Sequence, residues 1–324
     1  MKRLLTLSFL LLCLHQSYGQ ANTDIFDELQ GNVWYMPTAD NKADIYVTSI
    51  GKGDTIIALH GGPGNDFNYL TGALRGNANT NTFILFDQRG SLLSPVNDSV
   101  IHTLTLDILV EDLETMRKVL KQNKITLFGH SFGSLLALSY YLKYPEHVNG
   151  IILSATMPPY LTPEEPFSEI LKDIHKRSKD LRNRPEVTDA ICKAGLQNDT
   201  LLTPKQQTEK YKIRFASIAM YNIANWRKMQ GGFIYYNALV DGAIGESIPE
   251  FYDIRPVLDK FPVPVTIIQG DIDFIDPSAN YWKPVLSDYD FVELKVVKNS
   301  SHYIWLDNST EFDSNLRYAI DRTF

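Results

Sequence analysis

Seven short apolar runs alternate along the chain with stretches of helical periodicity, and this alternation limits the fold more than any other feature. The runs span residues 45–47, 55–59, 82–86, 125–128, 150–153, 265–269 and 292–297. They read as continuous apolar runs rather than alternating ones, which suits strands buried on both faces. Leu106, Leu109, Val110, Leu113, Met116, Val119 and Leu120 recur at helical spacing, as do Leu135, Leu138, Tyr141 and Leu142. The expected fold class is α/β, a mostly parallel central sheet covered by helices. Between residues 158 and 256 the pattern lapses into charged and aromatic helix-like segments without a recognisable strand. A structureless loop of that length is uncommon in a compact domain. We therefore expect 158–256 to be a helical cap inserted into a core made of 20–157 and 257–324, with Pro158, Pro159, Pro262 and Pro264 near the junctions.

Residues 1–19 stand apart. Lys2 and Arg3 precede an apolar run over 4–14, and the small residues Ser17 and Gly19 follow, the layout of a secretory signal peptide cleaved before Gln20. A helix needs roughly 20 apolar residues to cross a bilayer, so export to the periplasm or beyond is expected, without stable membrane insertion. Cys13 leaves with this segment, and Cys192 alone cannot form an internal disulfide, so the core must hold the fold. The formal net charge of −7 and the lack of any Lys/Arg cluster argue against a nucleic-acid partner.

The strongest chemical signal is Gly129-His130-Ser131-Phe132-Gly133, which lies between an apolar run and a helix-like segment. A G-x-S-x-G at a strand-to-helix turn is a nucleophile elbow, with Ser131 lifted above the sheet. A serine hydroxyl is a poor nucleophile at neutral pH and needs a base, and the base needs an orienting acid. Asp271, Asp273 and Asp276 follow the run at 265–269, and His302 follows the run at 292–297. These loops leave the same end of a parallel sheet, where catalytic groups gather in open α/β folds. Asp273 is favoured among the three carboxylates because it occupies a G-x-x-D position after the penultimate strand. His60-Gly61-Gly62-Pro63-Gly64, after the run at 55–59, offers a backbone N–H for a developing oxyanion, from Gly62 or from Gly61. The second donor is expected to be the N–H of Phe132.

Three motifs occur together: HGGPG at 60–64, Asp87-Gln88-Arg89-Gly90, and GHSFG at 129–133. In these the chain resembles the proline iminopeptidases, or prolyl aminopeptidases, of the α/β-hydrolase fold, from about residue 35 onward. The resemblance implies a Ser131, Asp273 and His302 triad, an oxyanion hole at Gly62 and Phe132, and a helical cap. It also implies release of an N-terminal residue from short peptides without metal or organic cofactor.

The chain departs from that family at several points. DQRG continues as Ser91-Leu92-Leu93-Ser94-Pro95, and Phe132 stands where a tryptophan is common. The acidic cap motif that holds the substrate amine is replaced by Gln230-Gly231-Gly232-Phe233-Ile234-Tyr235. Binding of a protonated amine needs a carboxylate or an aromatic face. The cap offers Glu164, Glu165, Glu169, Glu209, Glu246 and Glu250, and its aromatic residues could line an apolar pocket. We take Gly61, Glu164, Phe233 and Tyr235 as candidate substrate contacts. The expected partner is a small molecule or short peptide. An esterase using the same triad is the alternative enzyme, and a non-catalytic binding protein is the alternative class.

Overall fold

The computed structural model describes residues 32–230 and 236–324. The expected signal segment 1–19, together with Phe233 and Tyr235, lies outside the described residues.

An eight-stranded sheet in the order β1-β2-β4-β3-β5-β6-β9-β10 organises the molecule. Its strands are β1 (Trp34–Pro37), β2 (Asp44–Gly51), β3 (Asp54–Leu59), β4 (Asn81–Phe86), β5 (Ile125–His130), β6 (Val148–Ser154), β9 (Val265–Gly270) and β10 (Val292–Val297). β1 and β2 run antiparallel to their neighbours, and every pairing from β4 to β10 is parallel. Successive side chains point to opposite faces of a strand, and the apolar runs divide accordingly. Ile57, Leu59, Leu127 and Leu153 join one apolar cluster, while Ile56, Ala58, Phe128 and Ile152 join the other. An unbroken apolar run is what a strand covered on both sides requires.

Helices complete the two layers. α1 (Asn68–Leu74) and α11 (Ser309–Asp321) cover the second face. α2 (Leu106–Val119) and α3 (Phe132–Lys143) cover the first. α2 starts at Thr105, whose Oγ1 accepts the Ile108 N–H at 3.3 Å, a side-chain N-cap. Leu106, Leu109, Val110, Leu113 and Met116 face the core as their spacing demands, but Val119 is half exposed at the helix end, where the core no longer reaches it.

The chain between β6 and β9 carries α4 (Phe167–Arg182), α5 (Pro185–Lys193), α6 (Pro204–Ala219) and α7 (Ala238–Glu246). α6 opens on a capping box between Thr203 and Gln206 with Pro204 in its first turn. This stretch is not free of strands: β7 (Tyr160–Leu161) and β8 (Tyr252–Asp253) pair antiparallel at its two ends. Two residues are too few to show a period, so the pairing leaves no mark in the sequence. The remaining elements used below are α8 (Arg255–Lys260), α9 (Lys283–Asp288) and α10 (Ile304–Asp307). α8 and α9 supply Leu258 and Val285 to the first core cluster, and α10 supplies Ile304 and Trp305 to the second.

Two strand expectations need correction. β1 is a strand that the sequence reading does not include, because Trp-Tyr-Met-Pro turns only Met36 fully inward from an antiparallel edge position. β10 is not buried on both faces. It pairs with β9 alone, so Glu293 to Val296 are only half buried.

Candidate active site

β5 ends at His130 and α3 begins at Phe132, so Ser131 alone must turn the chain. Its backbone sits at φ 56 and ψ −125, a conformation that costs on the order of 1–3 kcal/mol in a residue with a side chain. The Ser131 N–H donates to the Ser154 carbonyl on β6 at 3.0 Å, and the Ser134 N–H donates back to the Ser131 carbonyl at 2.9 Å. Close packing holds the turn from beneath. A Cβ on Gly133 would stand 2.1 Å from the Leu59 carbonyl oxygen, so only glycine lets the first turn of α3 rest on the β3 backbone.

His302 and Asp273 arrive from the loops after β10 and β9. The imidazole Nδ1 donates to Asp273 Oδ2 at 2.8 Å, and Asp273 Oδ1 accepts the Ile275 N–H at 2.7 Å. Asp273 has no exposed surface, and His302 is buried. The two competing carboxylates are committed elsewhere. Asp271 accepts the Ser300 N–H at 3.2 Å. Asp276 accepts the Asn280 and Tyr281 amides at 2.8 and 3.0 Å, and burial pushes its carboxyl up to about 6. Asp273 is therefore the member of the trio that meets the imidazole.

Ser131 and His302 line one cavity of about 1180 Å³. Among the described residues no hydrogen bond joins the Ser131 hydroxyl to His302. Contacts of this kind are often long without substrate and close in the productive complex. The Phe274 and His130 rings each lie 4.7 Å from the imidazole, centre to centre.

Of the two glycine candidates for an oxyanion donor, only one has an amide without an acceptor among the described residues. The Gly61 N–H is already spent on Tyr69 Oη at 2.7 Å. Among the described residues the N–H groups of Gly62 and Phe132 have no acceptor. Gly62 sits at φ +66, and a Cβ there would come within 2.0 Å of Asn65 Nδ2, so the loop conformation that frees its amide needs glycine. The Phe132 amide belongs to the first turn of a twelve-residue helix, where N–H groups lack internal partners and the helix dipole favours negative charge.

The sequence reading missed a buried relay that ties these parts together. Tyr69 Oη accepts from Gly61 and donates to His130 Nδ1 at 2.8 Å, which leaves His130 Nε2–H to donate to the His302 carbonyl at 3.0 Å. Burial, with the adjacent His302 second, holds the His130 ring well below the usual imidazole range and therefore neutral. Tyr69 and His130 thus link the glycine loop to the backbone of the candidate base. The His130 partners are 61 and 172 residues away in sequence, so no local spacing could have revealed the relay.

HGGPG and DQRG are locked together in the same way. His60 Nε2 accepts the Gln88 N–H at 3.0 Å, and Gln88 Nε2 donates to the His60 carbonyl at 2.8 Å. Arg89 donates to Asp112 at 2.9 and 2.5 Å and to Asp40 at 3.0 and 2.8 Å. DQRG is a structural staple behind the glycine loop and contributes no residue to the cavity lining.

Burial lowers the His60 imidazole from 6.5 to about 4. The folded chain keeps this ring neutral where the unfolded chain protonates it, so its contribution is complete above pH 6.5 and is lost as pH falls toward 4. Each pH unit in that window is worth about 1.4 kcal/mol per group. His60→Gln cannot titrate, so the parent should lose thermal stability relative to this variant as pH drops from 6.5 to 4. The buried Asp87, raised to about 7, acts in the opposite sense, so parent and variant must be compared at each pH. A constant difference between them would contradict the buried neutral ring.

The expected substrate contacts fare unevenly. Gly61 lines the cavity. Glu164 does not: it is exposed on the turn in which Thr162 and Glu165 exchange backbone hydrogen bonds at 3.3 and 3.1 Å. That tight turn points the residue to solvent, and none of the other six glutamates between residues 158 and 256 lines the cavity. Cap residues missed by the sequence reading do line it, among them Arg182, Val187, Ile191 and Lys212.

A family model described as alpha/beta hydrolase fold matches residues 54–309, and the chain belongs to that family. Within it, the similarity is to enzymes named proline iminopeptidase. The chain is 29% identical to that of Saccharolobus solfataricus, covering 85% of this chain and 87% of the relative. It is 25% identical to that of Lactobacillus acidophilus, covering 82% and 89%. Solved structures share the fold at lower identity. A proline iminopeptidase from Mycobacterium smegmatis matches with a TM-score of 0.62 at 18% identity, over 90% of this chain and 98% of that one. An esterase from Exiguobacterium antarcticum matches with 0.62 at 21%, over 88% and 98%.

Proposed function

We propose that this chain is a serine hydrolase that works through an acyl-enzyme on Ser131 and releases an N-terminal proline or another small residue from short peptides. The observation that carries the reading is the strained Ser131 turn, set beside the His302–Asp273 pair and two amides without acceptors. His302 takes the hydroxyl proton as Ser131 attacks the carbonyl carbon, then returns it to the leaving amine. Water repeats the cycle to free the acyl group. Asp273 holds the imidazole tautomer, and the amides of Gly62 and Phe132 receive the charge that develops on the carbonyl oxygen. The similarity to proline iminopeptidases supports the choice of an N-terminal residue. The proposal includes export, supported by the sequence of residues 1–19, and an exported protein whose N-terminus is not Gln20 would revise it.

A second reading, an esterase, is favoured by one observation: among the described residues no Asp or Glu lines the cavity to hold a free amine. Turnover of proline and alanine arylamides beside short acyl esters separates the two. The peptidase reading expects arylamide cleavage, and ester turnover without it would leave the esterase.

A further inference from the structure

The chain is acidic overall, at −7, yet the cavity above Ser131 carries charge of one sign only, and it is positive. Arg182, Lys212 and Arg214 line it, and among the described residues no carboxylate does. Arg182 closes α4, while Lys212 and Arg214 sit on α6. Among the described residues neither arginine has an ion-pair partner. Asp199, which Arg214 influences, is engaged by Lys210 at 2.8 Å. The Lys212 ammonium donates one of its three hydrogens, to the Met229 carbonyl at 3.0 Å, and Met229 also lines the cavity. The Arg182 charge reaches the half-buried Tyr211 phenol on the cavity wall and opposes the rise that burial imposes on it. Cations gathered on a concave wall without counter-charge raise the local concentration of anions. Guanidinium groups favour planar carboxylates, which they can grip with two hydrogen bonds.

We propose that the cavity selects substrates bearing a free carboxylate away from the scissile bond, drawn by the cationic lining that Arg182, Lys212 and Arg214 supply. This inference rests on the function proposed above and deepens it: the ligand is a short peptide with a free C-terminus, anchored by its tail rather than by its amine. A cavity of about 1180 Å³ lies just above the roughly 300–1,000 Å³ of ordinary small-molecule sites, enough for a short peptide. An acyl chain with a terminal carboxylate would present the same chemistry from the other side of the scissile bond.

Calorimetry on Ser131→Ala tests the anchor independently of turnover. The ligands are prolyl-glycine and prolyl-glycyl-glycine as free acids and as C-terminal amides, with adipate and hexanol for the acyl-side arm. Each exposed charge contact is worth little, so the three together should favour a peptide acid over its amide by at least about fivefold. That ratio should shrink at high salt, because Arg182 and Arg214 are exposed. It should also shrink in Arg182→Gln/Arg214→Gln, with KM rather than kcat of the Ser131 enzyme changing in parallel. Acid and amide binding within twofold of each other, or a preference indifferent to the double variant, would overturn the proposal. Adipate binding without any peptide-acid preference would overturn the peptide assignment. Acid-selective binding with no peptide cleavage would keep the anchor and defeat the peptidase reading instead.

Discussion

Asp273→Asn should lower kcat by a factor on the order of 10⁴ while leaving the fold intact. The substitution is nearly isosteric, and the side-chain oxygen can still accept the Ile275 N–H that Asp273 now takes at 2.7 Å. What changes is the partner of His302. Asp273 Oδ2 now accepts from Nδ1 at 2.8 Å, which leaves Nε2 free for the proton transfer proposed from Ser131. An asparagine NH₂ in that place would donate to Nδ1 and force the hydrogen onto Nε2, where it cannot serve as a base. The carboxylate would also no longer stabilise the imidazolium formed during attack. The effect should fall on kcat, because Asp273 is wholly buried and behind the imidazole. Steady-state kinetics on the best substrate of the arylamide and ester panel provide the measurement. A loss below tenfold would mean that Asp273 does not orient the base.

Removing Arg89 should destabilise the fold by about 3–5 kcal/mol, the usual consequence of leaving one partner of a buried ion pair alone. Arg89 and Asp112 side chains are each 4% exposed. Their contact ties the loop after β4 to α2, and the second contact, to Asp40, holds the turn between β1 and β2. With Arg89→Ala the Asp112 carboxylate would remain in the interior without its cation. The double variant Arg89→Met/Asp112→Leu should recover much of the loss, since it buries no unpaired charge. Denaturant midpoints of the parent, the single and the double variant decide it. A single variant within about 0.5 kcal/mol of the parent would show that the loop is held by other contacts. Activity should fall with the single variant even where it remains folded, because the neighbouring Gln88 secures the His60 backbone just ahead of Gly61 and Gly62.

How far the sequence revealed these features depended on whether their cause is local. β3, β5 and β9 are central strands buried on both faces, and their unbroken apolar runs announced them. Ser131 was legible for a similar reason: a glycine-flanked serine between a strand and a helix signals one particular turn. His302 and Asp273 could be placed because strand ends in a parallel sheet point the same way. The misses have non-local causes. β1 is an edge strand with one inward side chain, and β7 and β8 exist only because the two ends of the insertion meet. Glu164 looked suitable by residue type, but a turn directs it outward. Tyr69 and His130 carry an aromatic and a histidine like many others, and only the fold gives them partners. The cationic lining of the cavity was equally hidden, since Arg182, Lys212 and Arg214 sit among many surface charges of both signs and come to line one cavity only when α4 and α6 pack.

The central claim is that Ser131 is an activated nucleophile, and covalent labelling examines it most directly. A fluorophosphonate should modify the folded protein once, at Ser131, as read by mass spectrometry of the peptide containing it. Labelling should vanish in Ser131→Ala and slow sharply in Asp273→Asn. A well-folded parent protein that takes up no label, or takes it up on another residue, would contradict the account.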